Sequence, residues 1–248
     1  MTTNVQDWAY KGRGSVMMGL ASGGPIVAVG NTSDLKISIE NQTEELEDFQ
    51  SPSGGTAAMA TWVKKASVSM NIHNISPENL ARAYLGSTET VASASVTSEV
   101  HVAHKDAHVI LEHIKPSAVT VKSADGATTY TVDTDYTLTD TGLYIPPGSD
   151  ITNAASIKVD YSHIKEAVVE ALVQTAKEYV VVFSGVNTAQ DGRLRIVRLF
   201  KVRFHPASET ALLTGNFAGI NLTGVLIKDT SQPDGKSPYF REILEAAA

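Results

Sequence analysis

The sequence predicts a mainly β protein with one helix, and three observations support that fold class. Apolar residues alternate with polar ones along many short runs, as expected for strands with one buried face. Glycine, proline, asparagine and aspartate cluster between these runs, where they favour turns. Only the segment that follows Ser76 carries both helix start and helix stop signals. At 248 residues the chain is long enough for one large domain, or for a domain with a smaller companion.

The predicted strands are rich in valine, isoleucine, threonine and tyrosine. In chain order they cover residues 26–30, 34–40, 62–72, 96–102, 109–113, 118–122, 128–132, 136–138, 143–145, 156–161, 178–184, 193–204 and 220–228. Asp125-Gly126 predicts a two-residue hairpin turn, and the Pro-Pro-Gly sequence at 146–148 predicts a break. Segment 167–176 stays open, because its composition favours a helix while its neighbours are strands.

The single predicted helix has recognisable ends. Ser76 suits the N-cap, Pro77 suits the first helical position, and Gly86 is placed to end the helix. Its apolar residues follow the i, i+3, i+4 spacing of one buried face: Leu80, Ala83 and Tyr84. We therefore expect a helix that packs on a sheet.

The segment 101–164 has the properties of a separate small β domain. It contains several short predicted strands, separated by the clearest turn signals in the chain. The sequence thus predicts a discontinuous core domain, made of residues 1–100 and 165–248, with this small domain inserted.

The composition excludes several classes of protein. Without cysteine the chain has no disulfide, zinc-thiolate site or cysteine nucleophile. A formal net charge of −7 at pH 7 argues against a sequence-reading nucleic-acid protein, since such proteins carry a basic face. No run approaches the roughly 18 apolar residues of a membrane span, and the first residues lack a signal-peptide core. We expect a protein made in the cytoplasm, with no membrane partner.

The histidines are the best candidates for a metal or enzymatic site. Four of them lie close together in the sequence: His101, His104, His108 and His113. Their spacings match no known metal motif, and if 105–107 turns a hairpin only His104 and His108 lie near each other. A structural or solvent-exposed role is therefore the favoured interpretation.

No other constellation has the spacing of a catalytic or cofactor site. The glycine-rich segments that begin at Gly12 and Gly19 lack the spacing of a phosphate-binding loop. Ser22 does not lie in a nucleophile elbow. We predict no catalytic, cofactor-binding or metal-binding residues, no cofactor, and no enzymatic activity.

Basic residues follow one another along the predicted strand 193–204: Arg193, Arg195, Arg198, Lys201 and Arg203. Such a strand suits contact with phosphate. The same spacing also fits a strand with one face in the core and its charges paired with acidic neighbours. The second interpretation is favoured, because the chain holds 27 acidic against 20 basic residues.

The segment between the predicted strands 34–40 and 62–72 is unusually long. A hairpin needs about two to five linking residues, whereas 41–61 contains 21, and loops of that length are usually functional or disordered. Its first half is acidic, its second half contains the flexible sequence SPSGG, and two lysines follow. The length predicts that this loop contacts a partner, through the candidate residues Glu44, Glu45, Glu47, Asp48, Ser51, Gly54, Gly55, Lys64 and Lys65.

The order of these features is informative. A glycine-rich N-terminal segment is followed by an alternating strand, a long acidic loop, a second alternating strand and SPENLARAYLG. The C-terminal half contains EYVVVFSGVN, LFKVRFHP, INLTGVLIKD and a closing SPYF. In this order the chain resembles the major tail tube proteins of long-tailed bacteriophages. The resemblance covers both halves outside 101–164 and consists of many weak signals.

The resemblance implies a tail-tube-type β-sandwich or barrel with one flanking helix, and with the inserted domain on the outer surface. Such subunits form six-fold rings that stack into the tube through which DNA leaves the virion, and type VI secretion tubes are similar. In such an assembly we expect the loop 41–61 to be mobile in the free subunit and to order against a neighbouring subunit or ring. The implied partners are further copies of the chain, the tail terminator, tape-measure and distal tail proteins, and DNA in transient, non-specific passage. The implied location is the virion tail, and an inserted domain favours a non-contractile tail.

Two other functions remain open at this point. A β-sandwich carbohydrate-binding or adhesin module would use exposed aromatic side chains to stack on sugar, and the candidates are Trp8, Trp62 and Tyr144. An enzyme would depend on the histidine cluster alone.

Overall fold

The chain folds as a mainly β protein, which confirms the predicted fold class at that level. The computed structural model describes residues 9–50 and 52–246, which hold one short helix, α1 (Pro77–Ala83), and several antiparallel sheets. The strands are β1 (Gly12–Leu20), β2 (Val27–Ala28), β3 (Thr32–Glu47), β4 (Thr56–Ile72), β5 (Ser87–Val91), β6 (Ala94–Ala103), β7 (Ala107–Ile110), β8 (Ser117–Ser123), β9 (Thr129–Tyr130), β10 (Thr137–Thr139), β11 (Gly142–Ile145), β12 (Ala155–His163), β13 (Glu166–Glu170), β14 (Glu178–Asn187), β15 (Arg193–Phe204), β16 (Ile220–Leu226) and β17 (Phe240–Leu244).

The chain divides into two compact units. The first comprises the described residues of Met1–Ser87 and Val169–Ala248, and the second comprises Thr88–Val168. The predicted boundary at 101 is therefore too late. The reason is strand pairing: β6 pairs with β12 from Ala94↔His163 to Ala103↔Ala155, so its whole length belongs to the second unit.

The first unit is built on one eight-stranded sheet. Its order is β2-β1-β14-β15-β16-β4-β3, and β17 pairs with β15 beside this path. Buried side chains from β1, β4, β14, β15 and β16 form one core, to which α1 contributes Ala83. The largest fully buried side chains of this core are Met18, Val29, Val68, Ile72, Ile220 and Leu222.

Strand β1 was not predicted, because its glycines resemble a loop. It forms because all nine of its residues pair with β14, from Gly12↔Asn187 to Leu20↔Tyr179. A Cβ atom on Gly14 would lie 2.3 Å from the carbonyl oxygen of Ser184. Glycine at this position therefore permits the close approach of two strands, which is a structural role.

The helix begins where the sequence predicted. The Ser76 hydroxyl accepts a hydrogen bond from the backbone N–H of Asn79 at 3.3 Å, which confirms the N-cap. The helix ends at Ala83, three residues before Gly86, and Leu85 has a φ of 49°. Two of the three predicted contact residues, Leu80 and Tyr84, are partly buried against the core of the first unit, and the third is fully buried.

The second unit has its own core between a four-stranded sheet, β6-β12-β8-β9, and a three-stranded sheet, β10-β11-β7. A hairpin turns at Asp125-Gly126, but the predicted two-residue turn is wrong. The Ser123 N–H donates to the Thr128 carbonyl and the Gly126 N–H to the Ser123 carbonyl, both at 2.9 Å, so residues 124–127 form a four-residue loop. Strands β5 and β13 form a separate pair. The first part of segment 167–176 is therefore strand, because it gains a pairing partner in β5.

The basic strand β15 is an internal strand with paired charges, as the favoured interpretation predicted. Ion pairs within the first unit join Arg195 to Glu242 at 2.9 Å, Arg203 to Glu178 at 2.9 Å and Lys201 to Asp229 at 3.4 Å. Burial acts to lower the pKa of Arg195, but the hydrogen bond and charge of Glu242 outweigh it and raise that pKa.

Among the residues that the structure describes, no helix is long and apolar enough to cross a membrane.

Two isoleucines on the same hairpin test where the core of the first unit ends. Ile72 is fully buried and Ile39 is 54% exposed. We expect Ile72→Ala to lower the free energy of unfolding by about 2–5 kcal/mol, because it removes buried methyl groups and leaves a cavity. Ile39→Ala should cost less than about 1 kcal/mol. Urea unfolding followed by circular dichroism measures both, and equal losses would contradict the burial described here.

The environment of Asp229 can be tested through the pH dependence of stability. Its pKa is lowered to about 2 by hydrogen bonds from Gln232 and Ser231, with a smaller effect of the Lys201 charge. A carboxyl whose pKa is lower in the folded state stabilises the fold above its unfolded pKa and loses that effect as pH falls through the folded value. We expect Asp229→Asn to be less stable than the unaltered chain at pH 6, with the difference shrinking between about pH 4 and pH 2. A stability difference that stays the same from pH 6 to pH 2 would contradict the lowered pKa of Asp229.

Candidate assembly surface

The prediction of a loop at 41–61 is wrong, because this part of the chain forms a long hairpin. β3 and β4 pair from Thr32↔Ile72 to Glu47↔Thr56, with three register shifts along the way. We call residues 40–65 the arm. Burial ends at its root, since Ala66 is 5% exposed and each of the ten β4 residues before it is exposed. At about 3.3 Å per residue, the eight arm residues of β3 extend about 26 Å.

The arm is a two-stranded ribbon with open edges. β16 pairs with β4 only between Ser67 and Ile72, and β3 is the terminal strand of its sheet. In the described residues no strand lies beside either edge of the arm. A bulge at Lys64 separates the pairs Glu40↔Lys65 and Asn41↔Val63, which increases the local twist.

The tip of the arm is a turn with two glycines. The backbone N–H of Asp48 donates to the Gly55 carbonyl at 2.7 Å, and the Asp48 carboxylate accepts from the Gln50 N–H at 2.8 Å. Gly54 and Gly55 have φ values of 65° and 124°, which glycine adopts without strain. Phe49 is 82% exposed here, so an aromatic ring stands at the tip.

The cross-strand register places apolar side chains on both faces of the arm. Directly opposed residues share a face in an antiparallel pair. One face therefore carries Gln42, Glu44 and Leu46 opposite Trp62, Ala60 and Ala58. The other carries Asn41, Thr43 and Glu45 opposite Val63, Thr61 and Met59, and the Thr43 and Thr61 hydroxyls lie 3.2 Å apart. Trp62, Val63, Leu46 and Met59 are 43%, 52%, 57% and 67% exposed.

The arm is acidic, with five carboxylates and two lysines in residues 40–65, a formal net charge of −3. Lys64 donates to Glu40 at 2.7 Å, and this hydrogen bond is the main cause that lowers the pKa of Glu40. One of the two lysines is thus paired within the arm, with a carboxylate that the sequence prediction did not include.

The predicted contact residues all belong to the arm, although not to a loop. Glu44, Glu45 and Glu47 lie in β3, Lys64 and Lys65 lie in β4, and Asp48, Gly54 and Gly55 form the tip. Ser51 lies outside the described residues. The sequence analysis did not predict the apolar contribution of Leu46, Phe49, Met59 and Val63, because it assigned no strand register to this segment.

A second exposed apolar segment of the first unit was not predicted at all. It joins β15 to β16 over residues 205–219. Leu212, Leu213 and Phe217 are 89%, 97% and 97% exposed. Exposed apolar clusters of this kind mark interaction sites in folded proteins. The signal available in the sequence was the run ALLTGNF within a long segment without strand alternation.

The four histidines of the sequence cluster do not converge. His101 contacts Glu99 at 2.6 Å, His104 is exposed, and the ring of His108 lies 5.2 Å from that of Tyr144. His113 instead lies beside two residues from further along the chain, described below.

The two described aromatic candidates for sugar stacking belong to different units. Trp62 lies on the arm, and Tyr144 lies in the second unit, where its hydroxyl donates to Asp106 at 2.6 Å. This hydrogen bond is the main cause that raises the pKa of Tyr144. Trp8 lies outside the described residues.

Comparison with known families gives one match, which extends over both units. A family model described as "Protein of unknown function UCP028589" matches residues 9–243, which include the arm and the segment 205–219. The chain belongs to this family. No curated protein matches the chain.

The exposure of the arm predicts the fluorescence of Trp62. The chain has two tryptophans, so Trp8→Phe leaves Trp62 alone. In dilute solution we expect emission at the long wavelengths of a water-exposed indole and strong quenching by acrylamide. Emission should shift to shorter wavelengths as concentration rises, if other chains cover the arm. The emission of a buried indole in the dilute monomer would contradict the exposure described here.

Proposed function

We propose that the chain is a structural subunit that assembles into stacked six-fold rings, the tail tube of a long-tailed phage. The observation that carries this proposal is the arm, a hairpin with open edges and apolar side chains on both faces. For the open alternative, a carbohydrate-binding module, each unit offers one described aromatic candidate, Trp62 in the first and Tyr144 in the second.

A partner on both faces explains the composition of the arm. An isolated two-stranded hairpin is only marginally stable in water. Its open strand edges invite pairing with another chain, and its exposed apolar side chains gain free energy when they are covered. Within the first unit, no described residue covers either face of the arm. Burial on β4 begins only at Ala66, just after the arm.

A second copy of the chain suits this role, because the first unit carries two different apolar surfaces. A head-to-tail contact joins two unlike patches, and it forms a ring when the rotation between subunits closes. The arm and the segment 205–219 are such patches. We propose that the arm of one subunit packs against Leu212, Leu213 and Phe217 of the next, while open strand edges join neighbouring sheets.

Charges would set the register of these contacts. Glu44 and Glu47 are exposed on the arm, and Lys65 lies at its base. Pairing of such carboxylates with the lysines of a neighbouring subunit contributes little affinity at an exposed site, but it disfavours wrong registers through like-charge repulsion.

The resemblance to tail tube proteins supplies the remaining parts of the proposal. Rings stack into a tube in a non-contractile tail, the second unit decorates its outer surface, and DNA passes through the lumen without specific contacts. The tail terminator, tape-measure and distal tail proteins bind the completed tube. The subunit is made in the host cytoplasm and ends in the virion tail.

Replacement of the arm tip tests the proposal. Leu46 and Ala58 are cross-strand partners, so replacing residues 47–57 with Asn-Gly closes the hairpin with a two-residue turn and preserves the register. We expect a folded subunit by circular dichroism that forms no rings or tubes in electron micrographs, whereas the unaltered chain forms them at high concentration. Normal tubes from the shortened chain would contradict the assigned role of the arm.

Point variants separate the arm from general surface effects. We expect the double change Leu46→Ser, Met59→Ser to weaken assembly, and Phe217→Ser to have a similar effect. The matched control is Val100→Ser, Val102→Ser, since these valines are 61% and 56% exposed on β6 of the second unit. A strictly monomeric unaltered chain at all concentrations would remove the basis of the proposal.

A further inference from the structure

Three side chains with metal-ligating chemistry converge in the second unit. His113 lies between β7 and β8, His163 is the last residue of β12, and Glu166 is the first residue of β13. Each offers one nitrogen or oxygen atom, and these three atoms lie within 4.8 Å of one another. The sequence analysis did not predict this group, because the two histidines lie 50 positions apart in the chain.

The group is withdrawn from solvent. His163 is 5% exposed, and the side chains of His113 and Glu166 are 17% and 8% exposed. Ionisable side chains are seldom buried together unless they are paired, hydrogen-bonded or bound to an ion. The three residues therefore need an explanation beyond surface solubility.

The hydrogen bond of the His163 ring leaves one of its nitrogens available to a ligand. Nδ1 of His163 lies 2.9 Å from the carbonyl oxygen of Ile164. A carbonyl only accepts, so this nitrogen carries the proton, and in the neutral ring Nε2 carries the lone pair. A histidine that donates Nδ1–H to a carbonyl and presents Nε2 is the usual arrangement of a metal ligand.

His113 and Glu166 lie within hydrogen-bond distance of each other. Nδ1 of His113 lies 2.5 Å from one carboxylate oxygen of Glu166, and the other oxygen accepts from the backbone N–H of Ile114 at 3.2 Å. The hydrogen bond from His113 is the main cause that lowers the pKa of Glu166. An ion held by both residues takes the place of the proton between this nitrogen and this oxygen, so its binding releases a proton.

The two histidine rings lie side by side. The rings of His113 and His163 are stacked, with centroids 3.8 Å apart and planes 10° apart. Two imidazoles and one carboxylate thus occupy one small region, and the rings must tilt out of their parallel planes to share one ion.

We propose that His113, His163 and Glu166 bind one divalent transition-metal ion of the zinc class, with water in the remaining position. Two imidazoles and one carboxylate suit zinc, cobalt or nickel, whereas calcium and magnesium require more oxygen ligands. Ligand atoms about 2.1 Å from a tetrahedral ion lie about 3.4 Å apart, so ion binding requires the 2.5 Å contact between His113 and Glu166 to open and any wider separation, up to 4.8 Å, to close. The bound ion joins the end of β12 to β13 and to the β7–β8 link. It is independent of ring assembly.

Metal titration of the full chain tests the site. After removal of metal with a chelator, we expect one equivalent of Zn²⁺ to bind in isothermal titration calorimetry and to raise the unfolding temperature. Co²⁺ should give the visible absorption of a low-coordinate nitrogen and oxygen site. Ca²⁺ and Mg²⁺ should give neither effect. A chain that binds no Zn²⁺ or Co²⁺ would overturn the proposal.

Variants identify the ligands. We expect Glu166→Gln and His163→Asn each to weaken Zn²⁺ binding at least tenfold, while the exposed His104→Ala changes nothing. Glu166→Gln keeps the size of the side chain, so it serves as the test if His163→Asn does not fold, and circular dichroism checks both. Unchanged binding by Glu166→Gln, or loss of binding in His104→Ala, would overturn the assignment of the ligands.

Discussion

Burial along one face of β4 is the constraint on which the first unit depends. Ala66, Val68, Met70 and Ile72 alternate into the core, and the same stretch pairs with β3 on one side and β16 on the other. The strand then continues in the N-terminal direction for ten exposed residues. One continuous element is thus anchored at its root by hydrophobic packing and presents its other half to solvent. The arm derives its position from the core, although it adds nothing to that core.

This anchoring bears on how an assembly would form. A disordered loop must lose its conformational freedom when it binds, whereas a paired hairpin has already lost much of it in the free subunit. When a partner covers the apolar faces of the arm, less of the free energy gained is therefore lost to ordering the chain, and more of it contributes to binding affinity. The histidine and glutamate group lies in the other unit, so assembly and metal binding have separate physical origins and separate tests.

Sequence patterns predicted strands well where one face is buried. β12 shows this, since Ile157, Val159 and Tyr161 alternate into the second core. The sequence did not predict β1, because pairing with β14 outweighs the low strand propensity of its glycines. It did not predict a strand at 56–61 either, because neither face is buried there and apolar and polar residues need not alternate. The charged members of the arm were recognised by composition. Their register, and the apolar neighbours that share each face, depend on pairing between β3 and β4.

The sequence by itself determined the mainly β class, the capped helix at Ser76 and the unusual nature of residues 41–61, because these follow from local propensity, capping and spacing. Only the tertiary structure decided that this segment is a paired arm, that Leu212 and Phe217 are exposed, and that His113 meets His163 and Glu166. Hydrogen bonding between strands and contacts across 50 residues are properties of the folded chain, and local composition does not encode them residue by residue.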